Sequence, residues 1–162
     1  MYAAYELKEP LRSEKLRECL AQIEAWGLTM PTETVYVRDF GQGDFQKVGE
    51  IEFWIVNAME EGYCGKFIFV FDGQECPCHH HRIKHETFFV VRGRVAMVVD
   101  GIRTVLEEGQ TRPLKPGEAH RFSGIGPSLV LEVSTPSIKG DSYFADPALP
   151  SAQEDHVQRD EG

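Results

Sequence analysis

Four of the six histidines in this 162-residue chain, His79, His80, His81 and His85, fall within seven residues of one another. They lie between Gly73 and Gly93, in a stretch that reads as extended segment, turn and strand. Residues i and i+2 of an extended segment point to the same side. His79 and His81 therefore project together, with His80 opposite. A turn over residues 82–85 returns the chain into a strand starting at Glu86, along which Glu86, Phe88 and Val90 share a face. Two imidazoles and a carboxylate converge in this way on one point inside a β-fold. That donor set suits a first-row divalent metal with open coordination positions. A fourth donor has to come from elsewhere. Outside the cluster and the C-terminal tail, His120 is the strand-borne histidine, placed after the Pro116-Gly117 turn signal.

The rest of the chain sets the frame for this site. Ser13 reads as a helix N-cap, with Leu16, Cys19, Leu20, Ile23 and Trp26 forming one apolar face and Gly27 stopping the helix. From Thr34 onward, short β-branched and aromatic runs alternate with glycine and proline. Strands are expected near 34–38, 51–57, 65–71, 86–91, 94–99, 104–107, 110–114, 120–123 and 129–134. Turns are expected at 41–43, 72–73, 92–93, 100–101, 116–117 and 124–127. Many short strands at close spacing imply an antiparallel barrel or sandwich.

Composition closes off several functions. The net charge of −9 is the reverse of the basic footprint that nucleic acid requires. No apolar run approaches a membrane span, and the first residues lack the pattern of an export signal. Four cysteines without such a signal point to free thiols in a reducing cytoplasm. Cys76-Pro-Cys78 lacks the second cysteine pair of a structural zinc site, so these are read as small residues on the approach to the histidines. Residues 1–30 are taken as a helical segment, 31–150 as the barrel with a C-terminal extension, and 151–162 as an acidic, solvated tail carrying His156.

Two further charges stand out in apolar strands. Lys66 opens Lys66-Phe67-Ile68, and Glu132 interrupts Leu129-Val130-Leu131-Glu132-Val133. A buried carboxylate is costly unless paired or used. Glu132 is therefore either a functional group or half of a structural ion pair with Lys66 or an arginine.

The pattern Gly73-x5-His79-x-His81-x4-Glu86-x6-Gly93 resembles the first cupin motif at every defining position. Gly109…Pro116-Gly117-x2-His120 resembles the second, with Lys115 in place of a proline and Gly124 in place of an asparagine. Cupin membership implies an all-β fold, a single jelly roll (double-stranded β-helix), here with a short N-terminal helix. The run His79-x-His81-x2-Lys84-x-Glu86, the later His120 and the Glu132-Val133-Ser134 segment are similar to the cupin-type D-lyxose ketol-isomerases. That resemblance implies one divalent metal, manganese first and iron, nickel, zinc or cobalt as alternatives, on His79, His81, Glu86 and His120. It gives Lys84 a sugar contact and Glu132 the acid/base role, and Gly140-Asp141-Ser142 falls where that family has an aspartate-rich loop; Lys66, a charge opening an apolar strand, is read beside them as a further substrate-binding residue. The expected function is aldose–ketose isomerisation of a small sugar, without nucleic acid or membrane partners, in a homodimer. An iron- or nickel-dependent dioxygenase and a non-catalytic sugar-binding cupin are the alternatives. The segment 140–147 is also like that of cupin domains associated with sialic acid synthesis.

Overall fold

The computed structural model describes residues 5–149, so the acidic 151–162 segment and His156 lie outside the described residues. Among the described residues, one helix, α1 (Leu11–Ala25), precedes nine strands: β1 (Val35–Arg38), β2 (Glu50–Ala58), β3 (Tyr63–Val70), β4 (Glu75–His80), β5 (Glu86–Val99), β6 (Ile102–Leu106), β7 (Thr111–Leu114), β8 (His120–Ser134) and β9 (Tyr143–Phe144). These strands pair antiparallel throughout.

β5 and β8 organise the molecule. They pair along nearly their whole lengths, from Glu86 opposite Ser134 to Val99 opposite His120. A straight strand of that length would span roughly 45 Å. Yet a carboxylate oxygen of Glu86 lies 3.1 Å from His120 Nε2, at the other end of the pairing. The two strands therefore bend back on themselves and create two facing layers. One holds β1, β2, β3, the first half of β5, β7 and the second half of β8. The other holds β4, β9, the first half of β8, the second half of β5 and β6. This is the jelly roll with an N-terminal helix that the sequence led us to expect.

The bends correct one expectation. The sequence marks Arg92-Gly93 and the 124–127 segment as turns separating four strands, but β5 and β8 run through both. Register shifts fall between Val90 and Arg92 and between Arg92 and Arg94. Gly93 has φ +77°, and a Cβ there would stand 2.5 Å from the Pro127 carbonyl oxygen. Ser128 bridges the irregularity: its hydroxyl accepts from Arg94 N at 3.2 Å and donates to Arg94 O at 2.6 Å. Glycine and proline mark β-bulges here as readily as turns.

A second correction concerns α1. The helix begins at Leu11, before Ser13, and the exposed Glu9 carboxylate accepts the Ser13 backbone N–H at 3.1 Å. Cys19 and Ile23 are its buried residues, whereas Leu20 is exposed. Gly27 follows the C-cap with φ +71°, as its place in the sequence indicated.

Two apolar clusters sandwich the first layer. Cys19 and Ile23 pack with Ile51, Phe53, Phe69 and Leu129 on its outer face. Ile68, Val70, Phe88, Val90, Phe122 and Val130 fill the barrel interior. Side chains alternate along a strand. Burying Ile51 and Phe53 under the helix therefore turns Glu50 and Glu52 inward, and burying Phe69 on the same outer face, with Phe67 partly buried beside it, turns Lys66 inward.

Candidate metal centre and carboxylate–lysine cluster

β4 delivers His79 and, one residue past its end, His81; β8 opens on His120. One ring nitrogen from each of these three imidazoles can lie within 4.8 Å of the others. Each ring is fixed by a backbone carbonyl. His79 Nδ1 donates to Pro77 O at 2.8 Å, His81 Nδ1 to Asp141 O at 2.8 Å, and His120 Nδ1 to Glu118 O at 3.0 Å. A carbonyl only accepts, so each Nδ1 carries a proton, and in the neutral ring the lone pair is left on Nε2. This carbonyl support is the arrangement that orients metal-ligating imidazoles. His80 points the other way and stacks on Tyr143, with ring centres 5.2 Å apart.

Glu86 faces the imidazoles from the opposite layer. Its Oε1 lies 3.2 Å from His81 Nε2 and its Oε2 3.1 Å from His120 Nε2. Among the described residues, Glu86 Oε2 and His120 Nε2 are buried atoms without a hydrogen-bond partner. A buried carboxylate oxygen opposite a buried nitrogen lone pair is costly; a cation accepting both removes that cost, so the residues present fit a divalent metal. The charge pattern agrees. Burial, His120 and His81 together hold the His79 pKa well below the usual imidazole range, so the ring is neutral. Burial raises the Glu86 pKa, but Lys84 and the imidazoles more than offset it and keep the carboxyl ionised. Burial also lowers the pKa of His120, yet Glu86 lifts it above the ordinary value, so the carboxylate attracts positive charge at this point.

A line of alternating charges runs from the imidazoles into the barrel. Lys84 Nζ lies 2.9 Å from Glu86 Oε1 and donates a hydrogen bond to Glu132 Oε1. Glu132 Oε2 lies 3.4 Å from Lys66 Nζ, which donates to Glu52 Oε1 at 2.6 Å. Arg38 and the Trp54 indole N–H complete Glu52, at 3.0 and 2.9 Å. All these charged side chains are buried, and Glu132 is only 2% exposed. Burial opposes ionisation of both lysines, but the carboxylates prevail and raise their pKa values. At the inner end, burial and the Glu52 charge push the Glu50 pKa up to about 8, so Glu50 is protonated at neutral pH. These groups line one cavity together with Phe88, Phe122 and Phe144.

A cupin domain model matches residues 67–134. The D-lyxose ketol-isomerase of Thermofilum sp. is 31% identical, over 71% of this chain and 78% of its own. The chain belongs to the cupin-fold D-lyxose isomerase family. A second member, the D-lyxose/D-mannose isomerase of Thermosediminibacter oceani, is 28% identical over 84% of this chain and 90% of its own. Among solved structures, the L-ribose isomerase of Acinetobacter sp. DL28 in complex with L-ribose superposes with a TM-score of 0.73. That match covers 92% of this chain and 96% of the other at 19% identity, a likeness of fold.

The structure of this family member brings together every site residue singled out in the sequence: His79, His81, Glu86, His120, Lys84, Lys66 and Glu132 share the one cavity or its wall. The ion pair weighed for Glu132 exists, with two lysines. Cys76 and Cys78 take no part in the histidine cluster; Cys76 is buried beside Glu50, and all four cysteines are free. Sequence reasoning missed Arg38, Glu50, Glu52 and the anchoring role of Asp141. The signal for the glutamates was present as charges two apart in Glu50-Ile51-Glu52-Phe53, but such alternation ordinarily marks a solvated face.

Proposed function

We propose that this chain interconverts an aldose and its ketose, acting on a D-lyxose- or D-xylulose-like pentose with one divalent metal held by His79, His81, Glu86 and His120. The observation that carries the proposal is Glu132: a carboxylate 2% exposed, in contact with two lysines, one of which also touches Glu86. The names of the relatives support the substrate class. A bound divalent cation polarises the sugar's oxygens and lowers the cost of the negative charge that develops there. Imidazoles with one carboxylate suit a first-row divalent cation, and manganese is the one proposed, from the resemblance to the isomerase family.

The protein's own groups do the rest. Glu132 takes the proton from C2 of the open-chain aldose and returns it to C1, while the hydroxyl proton passes from O2 to O1. Lys84 steadies the negative charge that builds on the sugar oxygens during that transfer, and Lys66 holds Glu132 in place beside it. The phenyl rings around the cavity keep bulk water from the carbanionic carbon. Glu132→Gln is expected to retain its bound Mn²⁺ and lose roughly 10²–10⁴-fold in turnover. Rates like those of the unaltered protein in that variant would overturn the assignment. Sugar binding without turnover in the unaltered protein would favour a sugar-binding cupin. The reading includes a homodimer, which light scattering checks.

A further inference from the structure

The turn over residues 82–85 separates His81 from Glu86 and carries Lys84, so its shape decides where three site groups point. Its backbone N–H groups are taken up by one distant side chain. The Asp141 carboxylate accepts from Arg82 N at 2.9 Å, from Ile83 N at 3.1 and 3.2 Å, and from Lys84 N at 2.9 Å. The same residue's carbonyl accepts His81 Nδ1 at 2.8 Å. Asp141 is buried, 4% exposed, among backbone donors. Its own segment is tied down separately: Asn57 donates to Ser137 O at 3.0 Å and accepts from Ser137 N at 2.9 Å.

We propose that Asp141 is a positioning residue, holding the turn so that His81 presents Nε2 to the centre and Lys84 reaches both Glu86 and Glu132. Asp141 touches neither the cavity centre nor the reacting atoms; it acts through His81 and Lys84. The use made of those two groups rests on the function proposed above, but the hold itself does not. Three consecutive N–H donors converge on two oxygens, so the full carboxylate is required. Asparagine offers one oxygen and would turn its own N–H groups against either Arg82 N or Lys84 N.

The test compares Asp141→Ala, Asp141→Asn and Asn57→Ala in the full chain. Asn57→Ala loosens the same segment without touching the turn. The first readout is the imidazole ¹H–¹⁵N spectrum of chelator-treated protein, which needs neither metal nor turnover. Protected Nδ1–H signals are expected for His79, His81 and His120, with that of His81 alone lost in Asp141→Ala and weakened in Asp141→Asn. The second is Mn²⁺ affinity, expected to fall about 10–100-fold in Asp141→Ala and to stay within about threefold in Asn57→Ala. An unchanged His81 signal in both Asp141 variants, or an equal loss in Asn57→Ala, overturns the proposal. Should Asp141→Ala fail to fold, Asp141→Asn decides by the same signal. Absence of Mn²⁺ binding by the unaltered protein would overturn the metal reading and leave the His81 signal to decide the role of Asp141.

Discussion

Lys66 and Glu132 are register partners on β3 and β8, and their side chains meet inside the barrel with Nζ 3.4 Å from Oε2. The same ammonium donates to Glu52, so a single lysine joins two buried carboxylates. Removing one member of a buried ionic group leaves its partners uncompensated. Lys66→Met is expected to lower stability by about 3 kcal/mol, measured by urea unfolding. A loss below 1 kcal/mol would mean that Arg38 and Lys84 compensate the carboxylates alone.

Metal binding is expected to stabilise the fold. With Mn²⁺ at about 100 times its dissociation constant, the unfolding free energy rises by about 2.7 kcal/mol. His120→Ala removes a donor from the second layer and is expected to abolish that gain, while chelator-treated unaltered protein loses it reversibly. Urea melts with and without Mn²⁺ decide this. An equal gain in the variant would show that the cation binds elsewhere.

Glu50 gives stability a pH slope. Its carboxyl titrates near 4.5 when unshifted and at about 8 in the fold, where it faces Glu52, Lys66, Arg38 and Cys76. Between those values the folded chain holds a proton that the unfolded chain has released, so this contribution is lost as pH rises, by up to about 1.4 kcal/mol per unit. Glu50→Gln lacks the slope. Its stability relative to the unaltered protein is expected to improve between pH 5 and pH 8. Parallel pH profiles for the two would refute a raised Glu50 pKa.

The β5 bulge should be intolerant of any side chain. Gly93→Ala places a Cβ 2.5 Å from the Pro127 carbonyl oxygen at positive φ, for an expected loss of about 3 kcal/mol. Gly101→Ala has similar φ but nothing within 4 Å, and should cost about 1 kcal/mol. Thermal melts rank the pair; equal losses would leave conformational strain as the whole effect.

Much of the site was legible because its residues obey local rules. His79 and His81 stand two apart on a strand, Glu86 opens the next strand, and Glu132 is a charge where apolar residues surround it. What escaped depends on long-range packing. Glu50 and Glu52 alternate with Ile51 and Phe53 as a solvated face would, and only the helix lying on Ile51 and Phe53 reverses the assignment. Asp141 works on residues almost sixty positions earlier, and no local pattern marks that. The bulges at Gly93 and before Ser128 share their residue types with turns. Ser128, which bridges the β5 bulge, gives no signal of its own in the sequence.

The bends in β5 and β8 divide the site between two jaws. The imidazoles of His79 and His120 belong to one layer, and Glu86, Glu132 and Lys66 to the other. A ligand gripped from both sides becomes a strut across the barrel, and its binding should slow hydrogen exchange in both layers together. The reach between the jaws is set at the bends, where no site residue lies. Remodelling around Gly93 and Pro127 would retune that reach, and with it the size of sugar admitted, while every side chain that touches the sugar stayed the same.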